Sequence, residues 1–165
     1  MKVMVGGTFD PLHDGHKRLL TRSFELAGPE GQVVIGLTTD SFASRKTHPI
    51  HPFADREADL EKFITGAIST HALQKKYATR WEIEPLGDRY GSALDTDFDA
   101  IVVSEETLPV AVEINKLRRE RKLRKVDIHQ ITCVLAEDGR WISSTRIWRG
   151  EIDIHGHLIQ THSHV

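Results

Sequence analysis

Short apolar runs alternate with helical stripes along this chain, and that alternation limits the fold more than any other feature. Val3–Val5, Val33–Leu37, Trp81–Ile83 and Ile101–Val103 are brief runs rich in β-branched or aromatic residues, and Ile128–Leu135 is a longer one. The first, second and fourth are nearly continuously apolar, as strands covered on both faces must be. Between them, Leu60, Phe63, Ile64, Ala67 and Ile68 recur at helical steps, with Asp55 placed to cap that helix. Ala111, Ile114 and Leu117 mark another helix, with Pro109 in its first turn. Strand–helix alternation predicts βαβ units, hence an open parallel α/β sheet with helices on both faces. "THPIHP" (47–52) and "LGDRYGSALD" (86–95) read as loops. No internal repeat or linker divides the chain. Residues 1–151 are expected to form one domain and 152–165 a flexible, histidine-containing tail.

In such sheets ligands bind beyond the carboxyl ends of the strands. The segment "KVMVGGTFDPLHDGHKRLL" (2–20) lies at such an end. Gly6 and Gly7 let backbone approach a ligand closely. A helix starting near Asp14 or Gly15 directs unpaired N–H groups and its positive dipole end to the same place. His13 and His16 are spaced to share one face of its first turn. With the Thr8 hydroxyl they form a donor-rich pocket suited to an anion whose charge grows during a reaction. A glycine-rich turn and His-x-x-His also fit duller accounts: a ligand-free βα turn, surface histidines, or half a metal site. A zinc site lacks further ligands nearby. The segment is neither a P-loop nor a Gly-x-Gly-x-x-Gly turn.

"ISSTRI" (142–147) reads as a second helix start, with Ser143, Ser144 and Thr145 as hydroxyl-bearing capping residues and Arg146 close by. Net charge is −2 with histidine neutral, which argues against a general nucleic-acid coat. "KLRRERKLRK" (116–125) is read as a solvated helix face that helps anions approach. Cys133 is the single cysteine and has no internal disulfide partner, consistent with a reducing compartment. No apolar stretch reaches membrane-spanning length, and no signal-peptide pattern opens the chain. A cytoplasmic protein with no membrane or nucleic-acid partner is expected.

"GGTFDPLHDGH" resembles the first signature of the nucleotidyltransferase superfamily, His-x-Gly-His, here His13-Asp14-Gly15-His16. "ISSTRI" resembles the second. "DAIVVSEET" (99–107) followed by "EINKLRRER" (113–121) narrows the likeness to phosphopantetheine adenylyltransferases of the archaeal and eukaryotic type, over roughly residues 1 to 151. The resemblance implies a Rossmann-like sheet. It also implies transfer of AMP from ATP, with Mg2+, to 4′-phosphopantetheine, giving 3′-dephospho-coenzyme A and pyrophosphate. His16, His13, Lys46 and Thr8 are then the catalytic candidates. Gly7, Thr8, Phe9, His13, Gly15, His16, Ser104, Glu105, Glu106, Thr107, Ser143, Ser144 and Thr145 are the ATP candidates. Thr8, Asp10 and Lys46 are the phosphopantetheine candidates, and no protein-held metal is expected. Gly15 is expected to leave room for adenosine. Lys46 shares its loop with Arg45, and the flanking "THPIHPF" is less basic than in relatives. Asn115 and Arg118 match an Ile-Asn-x-x-Arg pattern, as substrate contacts or as support. The rivals are a nucleotidyltransferase for nicotinamide mononucleotide, FMN or a polyol phosphate, and a non-catalytic nucleotide-binding module.

Overall fold

The computed structural model describes residues 1–44, 48–68, 77–78 and 80–160. Five strands, β1 (Lys2–Gly7), β2 (Gln32–Thr38), β3 (Arg80–Leu86), β4 (Ala100–Val103) and β5 (Asp127–Gln130), form one sheet in the order β3-β2-β1-β4-β5. Every pairing is parallel: Val3 faces Val33 and Ala100, Val33 faces Trp81, and Ile101 faces Ile128. Around it lie helices α1 (Asp14–Ala27), α2 (Asp40–Ala43), α3 (Phe53–Phe63), α4 (Leu108–Glu120) and α5 (Ser144–Trp148). The order reverses at β1, so β1 and β4 diverge at their ends and leave a crevice where the first signature begins.

The pleat divides the core in two. Val3, Val5, Val33, Ile35 and Val102 pack with Leu20 and Phe24 of α1 and Leu60 of α3. Met4, Val34, Ile101 and Val103 face the opposite way, toward Ala111 and Ile114 of α4 and toward Leu94 and Phe98. The three central strands are buried on both faces, hence their unbroken apolar sequence. β3 is an edge strand, and there Pro85 is tolerated.

Four local expectations need correction. The run Ile128–Leu135 is strand only to Gln130, because its partner β4 stops at Val103; a last ladder bond runs from Ile131 N–H to the Val103 carbonyl. Asp55 lies inside the first turn of α3, not at its cap. The Phe53 N–H is instead satisfied by the carboxylate of Asp40, at 2.8 Å. The basic run is not all solvated, since Arg118 is wholly buried. Its guanidinium donates to the carbonyls of Ala93, Thr96 and Arg124 at 2.8 Å each, above the Phe98 ring. Asn115 exchanges two bonds with the Val126 backbone, so both family-pattern residues brace α4 rather than reach a ligand. Finally, residues 152–160 are not free. Ile152 is fully buried with Ala136 and Ile142, and it bridges to Leu158. Residues 161–165 lie outside the described residues.

Candidate active site

The first signature builds a reciprocal cap at the start of α1. His13 is the N-cap residue, and its Nδ1 accepts from the N–H groups of Gly15 and His16 at 3.0 and 3.3 Å. The His16 Nδ1 accepts in turn from the His13 N–H at 3.3 Å. The two rings stack with centroids 3.7 Å apart. A ring nitrogen that accepts carries no proton, so each neutral imidazole holds its proton on Nε2. With Nδ1 engaged by backbone, Nε2–H is the group each ring has left to offer, and both residues line one cleft. Burial lowers the His13 pKa to about 4, against an opposing pull from Asp14. His13 therefore serves as a neutral donor near neutrality, not as a cation.

This cap changes how an anion is received. The Asp14 N–H donates to the Ile154 carbonyl, those of Gly15 and His16 go to His13, and that of Lys17 goes to the His13 carbonyl. The first turn of α1 has spent its N–H groups, so the imidazoles take over the role expected of bare backbone. Gly15 has a matching reason. A Cβ there would stand 2.8 Å from His13 Cε1, so the space a side chain would fill is bounded by the imidazole.

Gly7, Thr8, Phe9, Asp10, His13, Gly15 and His16 line a cleft of ≈ 220 Å³. Ser104, Glu106 and Thr107 line it too, as do Ser143, Ser144 and Thr145. The second signature thus meets the first across one cavity. Ser143 caps α5 through the Arg146 N–H at 3.2 Å. Arg146 itself is committed to Asp138 and Glu151, and its bond to Asp138, with the Arg140 N–H, brings the Asp138 pKa down to about 2. Glu105 does not line the cleft; it lies beside Cys133, whose thiol burial pushes up. One Glu105 oxygen is shielded and meets no donor among the described residues. Phe9 is buried, with positive φ, its ring 5.1 Å from that of His16, so its side chain packs. Lys46, with Arg45, lies outside the described residues. Just beyond it, His48 stacks on Trp148 of α5 at 5.7 Å, tying that loop to the second signature.

Sequence reasoning missed Arg56. It is buried, and it donates to the carbonyls of His51 and Thr8, to the Thr38 hydroxyl and to the Asp40 carboxylate. The Thr38 hydroxyl is 3.0 Å from that of Thr8, so this one guanidinium ties together the ends of β1 and β2. Its signal was an arginine on an amphipathic helix, indistinguishable by pattern from a solvated one. Asp10 is also engaged. His51 approaches both its oxygens, at 2.9 and 3.0 Å, and the His51 pKa is raised chiefly by that bond. Among the described residues no cluster of three His, Cys, Asp or Glu converges on a metal position. With Asp10 occupied, the donor set does not fit a protein-held magnesium.

A second cleft, ≈ 600 Å³, runs between the sheet and α4. It shares Gly6, Gly7, Thr8 and Thr107 with the first, so the two cavities meet at the Thr8 turn. Its walls are mainly apolar, with Val34, Leu86, Ala93, Val110 and Ile114, but Glu84, Arg89 and Tyr90 add polar groups. Tyr90 donates to Glu113 at 2.6 Å, and Ser92 to Glu84 at 2.7 Å. These came from a stretch legible only as a loop.

The cytidylyltransferase-like family model matches residues 4–150. The phosphopantetheine adenylyltransferase of Archaeoglobus fulgidus is 41% identical over 159 residues, covering 96% of this chain and 100% of that protein. The chain belongs to the cytidylyltransferase-like family, in its phosphopantetheine adenylyltransferase branch. The phosphopantetheine adenylyltransferase of Methanopyrus kandleri is 49% identical over 154 residues, 92% of this chain and 90% of that one. A crystal structure of an Archaeoglobus fulgidus protein of unknown function superposes with a TM-score of 0.67 at 37% identity, over 79% of this chain and 89% of that one. The Plasmodium falciparum nicotinic acid mononucleotide adenylyltransferase, at 12% identity and a TM-score of 0.54 over 93% of this chain and 85% of that one, shares the fold. The expected Rossmann-like α/β class and the family resemblance both hold. No helix among the described residues is long and apolar enough to cross a membrane.

Proposed function

We propose that the chain is a pantetheine-phosphate adenylyltransferase that transfers AMP from ATP to 4′-phosphopantetheine. The observation that carries this reading is the pair of clefts meeting at Thr8: a small one walled by both signatures, and a larger, mainly apolar one with a few polar groups. Near-full-length identity to phosphopantetheine adenylyltransferases supports the acceptor. ATP occupies the small cleft, with its phosphates between the imidazoles and Ser143–Thr145. The pantetheine arm, with its dimethyl carbon and two amides, lies in the larger one. Its phosphate then reaches the shared turn.

An oxygen of the acceptor phosphate attacks the α-phosphorus in line. A new P–O bond forms, the bond to the bridging oxygen breaks, and pyrophosphate leaves with that electron pair. A phosphate dianion needs no base to attack, so the protein supplies position and charge stabilisation. His16 Nε2–H meets the oxygens whose charge grows, and His13 supports the neighbouring phosphates. The Thr8 hydroxyl lies between donor and acceptor phosphates. Lys46 supplies a cation to the reacting phosphates. Asp10, held by His51, acts on the acceptor side through the turn it braces. Magnesium enters with ATP as the counterion of its phosphates, and no step is assigned to it. A cytoplasmic location follows for an enzyme using these metabolites.

The test is product formation by the purified protein. ATP with 4′-phosphopantetheine is expected to yield pyrophosphate and 3′-dephospho-coenzyme A in equal amounts. Nicotinamide mononucleotide, FMN and polyol phosphates should give far less. Equal turnover with any of these acceptors would reject the assignment.

A further inference from the structure

The segment after residue 151 belongs to neither signature, yet it is fastened to the first. Asp14, the residue between His13 and Gly15, opens α1, so its N–H has no acceptor inside the helix. The Ile154 carbonyl accepts it at 3.0 Å. The next residue, His155, brings Nδ1 to 3.0 and 3.2 Å from the two Asp14 carboxylate oxygens. Backbone and side chain of the same residue are thus held by consecutive residues of one turn.

That turn is itself held. Asp153 Oδ1 accepts from the N–H groups of His155 and His157 at 2.8 and 2.9 Å. The Glu137 N–H reaches the Gly156 carbonyl at 2.9 Å, and Glu137 Oε2 accepts from the Leu158 N–H at 3.0 Å. Gly156 has φ +82, and a Cβ there would meet Ala136 Cα at 2.8 Å. Ile152 anchors the base of the turn in the small core of Ala136 and Ile142.

We infer that residues 152–158 form a clasp on the His-x-Gly-His segment, and that His155 is a positioning residue acting through Asp14. Two consequences give the clasp its purpose. Fixing Asp14 fixes the peptide that presents the N–H groups of Gly15 and His16 to His13, and so the direction of both Nε2–H groups. It also keeps the Asp14 carboxylate toward His155 and off the wall of the cleft, where an anion would oppose phosphates. The role of the clasp in turnover rests on the adenylyltransferase reading. Its role in setting the imidazoles does not.

The experiment uses the full chain with His155→Ala, His155→Asn, Asp14→Ala, the double alanine variant and Gly156→Ala. Asparagine carries an N–H donor near the position of Nδ1. His155→Ala is expected to lower kcat about 10-fold through misplacement of the imidazoles, with the KM for ATP nearly unchanged and unfolding temperature within a few degrees. His155→Asn should recover most of kcat. The double variant should match the Asp14→Ala single, because residues acting as one unit are not additive. Gly156→Ala, which displaces the turn without touching α1, should lower kcat in the same way. Ring-nitrogen NMR shifts of His13 and His16 should move in His155→Ala whatever the reaction. Wild-type kcat with unmoved shifts, a kcat loss that asparagine does not restore, or additive losses would each overturn the clasp. If the wild-type protein makes no dephospho-coenzyme A, the ring shifts alone decide, and only the reaction assignment is lost.

Discussion

Gly15→Ala adds one methyl group and tests how the histidine pair is built. The new Cβ would stand 2.8 Å from His13 Cε1 and 3.0 Å from its Nδ1. The imidazole cannot swing aside cheaply, because it accepts two N–H bonds, stacks on His16 at 3.7 Å and is nearly sealed from solvent. Two opposed effects act on stability. Alanine is favoured over glycine in a helix by up to ~1 kcal/mol. Losing the His13 cap costs about 0.5–2 kcal/mol. The net change is expected within about 1 kcal/mol, an unfolding shift of a few degrees for a chain this size. Catalysis has no such offset. Displacing His13 and unsettling His16 removes donors worth about 10²–10³-fold each. Single-turnover formation of dephospho-coenzyme A is therefore expected to fall by at least about 100-fold, with urea unfolding nearly unchanged. Nitrogen NMR should show His13 losing its Nε2-protonated tautomer. A variant with wild-type rate would refute the packing argument. A slow variant with the His13 tautomer intact would instead mean that the methyl meets the nucleotide.

Other outcomes follow from the same geometry. His16→Ala should lower the single-turnover rate about 10²–10³-fold while weakening ATP binding far less, since its donor meets charge that grows in the transition state; a folded variant with a near-normal rate would remove His16 from the mechanism. Buried His13 resists protonation down to about pH 4, whereas the unfolded chain takes that proton near 6.5. Its contribution is complete above pH 6.5 and is lost as pH falls toward 4, ~3 kcal/mol in all, so urea unfolding between pH 7.5 and 4 should show a slope that His13→Asn reduces. Arg118→Leu leaves three carbonyls without their donor, that of Ala93 buried and those of Thr96 and Arg124 partly so, and should cost about 1–3 kcal/mol, whereas the exposed neighbour Arg119→Leu should stay within about 0.5 kcal/mol by urea unfolding.

Part of this protein is encoded in local pattern alone. Burial on both faces forces a strand to be apolar throughout, so β1, β2 and β4 could be read directly. A helix start needs capping groups, so both signatures were legible as helix N-termini, and their motifs announced the chemistry. Tertiary structure decided everything that depends on which distant group arrives. A buried arginine and a solvated one look alike in a helical stripe; only the fold sends Arg56 to Thr8 and Arg118 under the β3–β4 connection. The strand expected to run to Leu135 ends at Gln130 because a strand is defined by its neighbour, and β4 is short. The larger cleft needed α4 laid across the sheet, and its polar residues came from a segment with no periodicity to read. The clasp is the clearest case. His155 and Asp14 lie at opposite ends of the chain, and nothing local to either predicts their meeting, because closing so long a loop is decided by the whole packed sheet rather than by any run of residues.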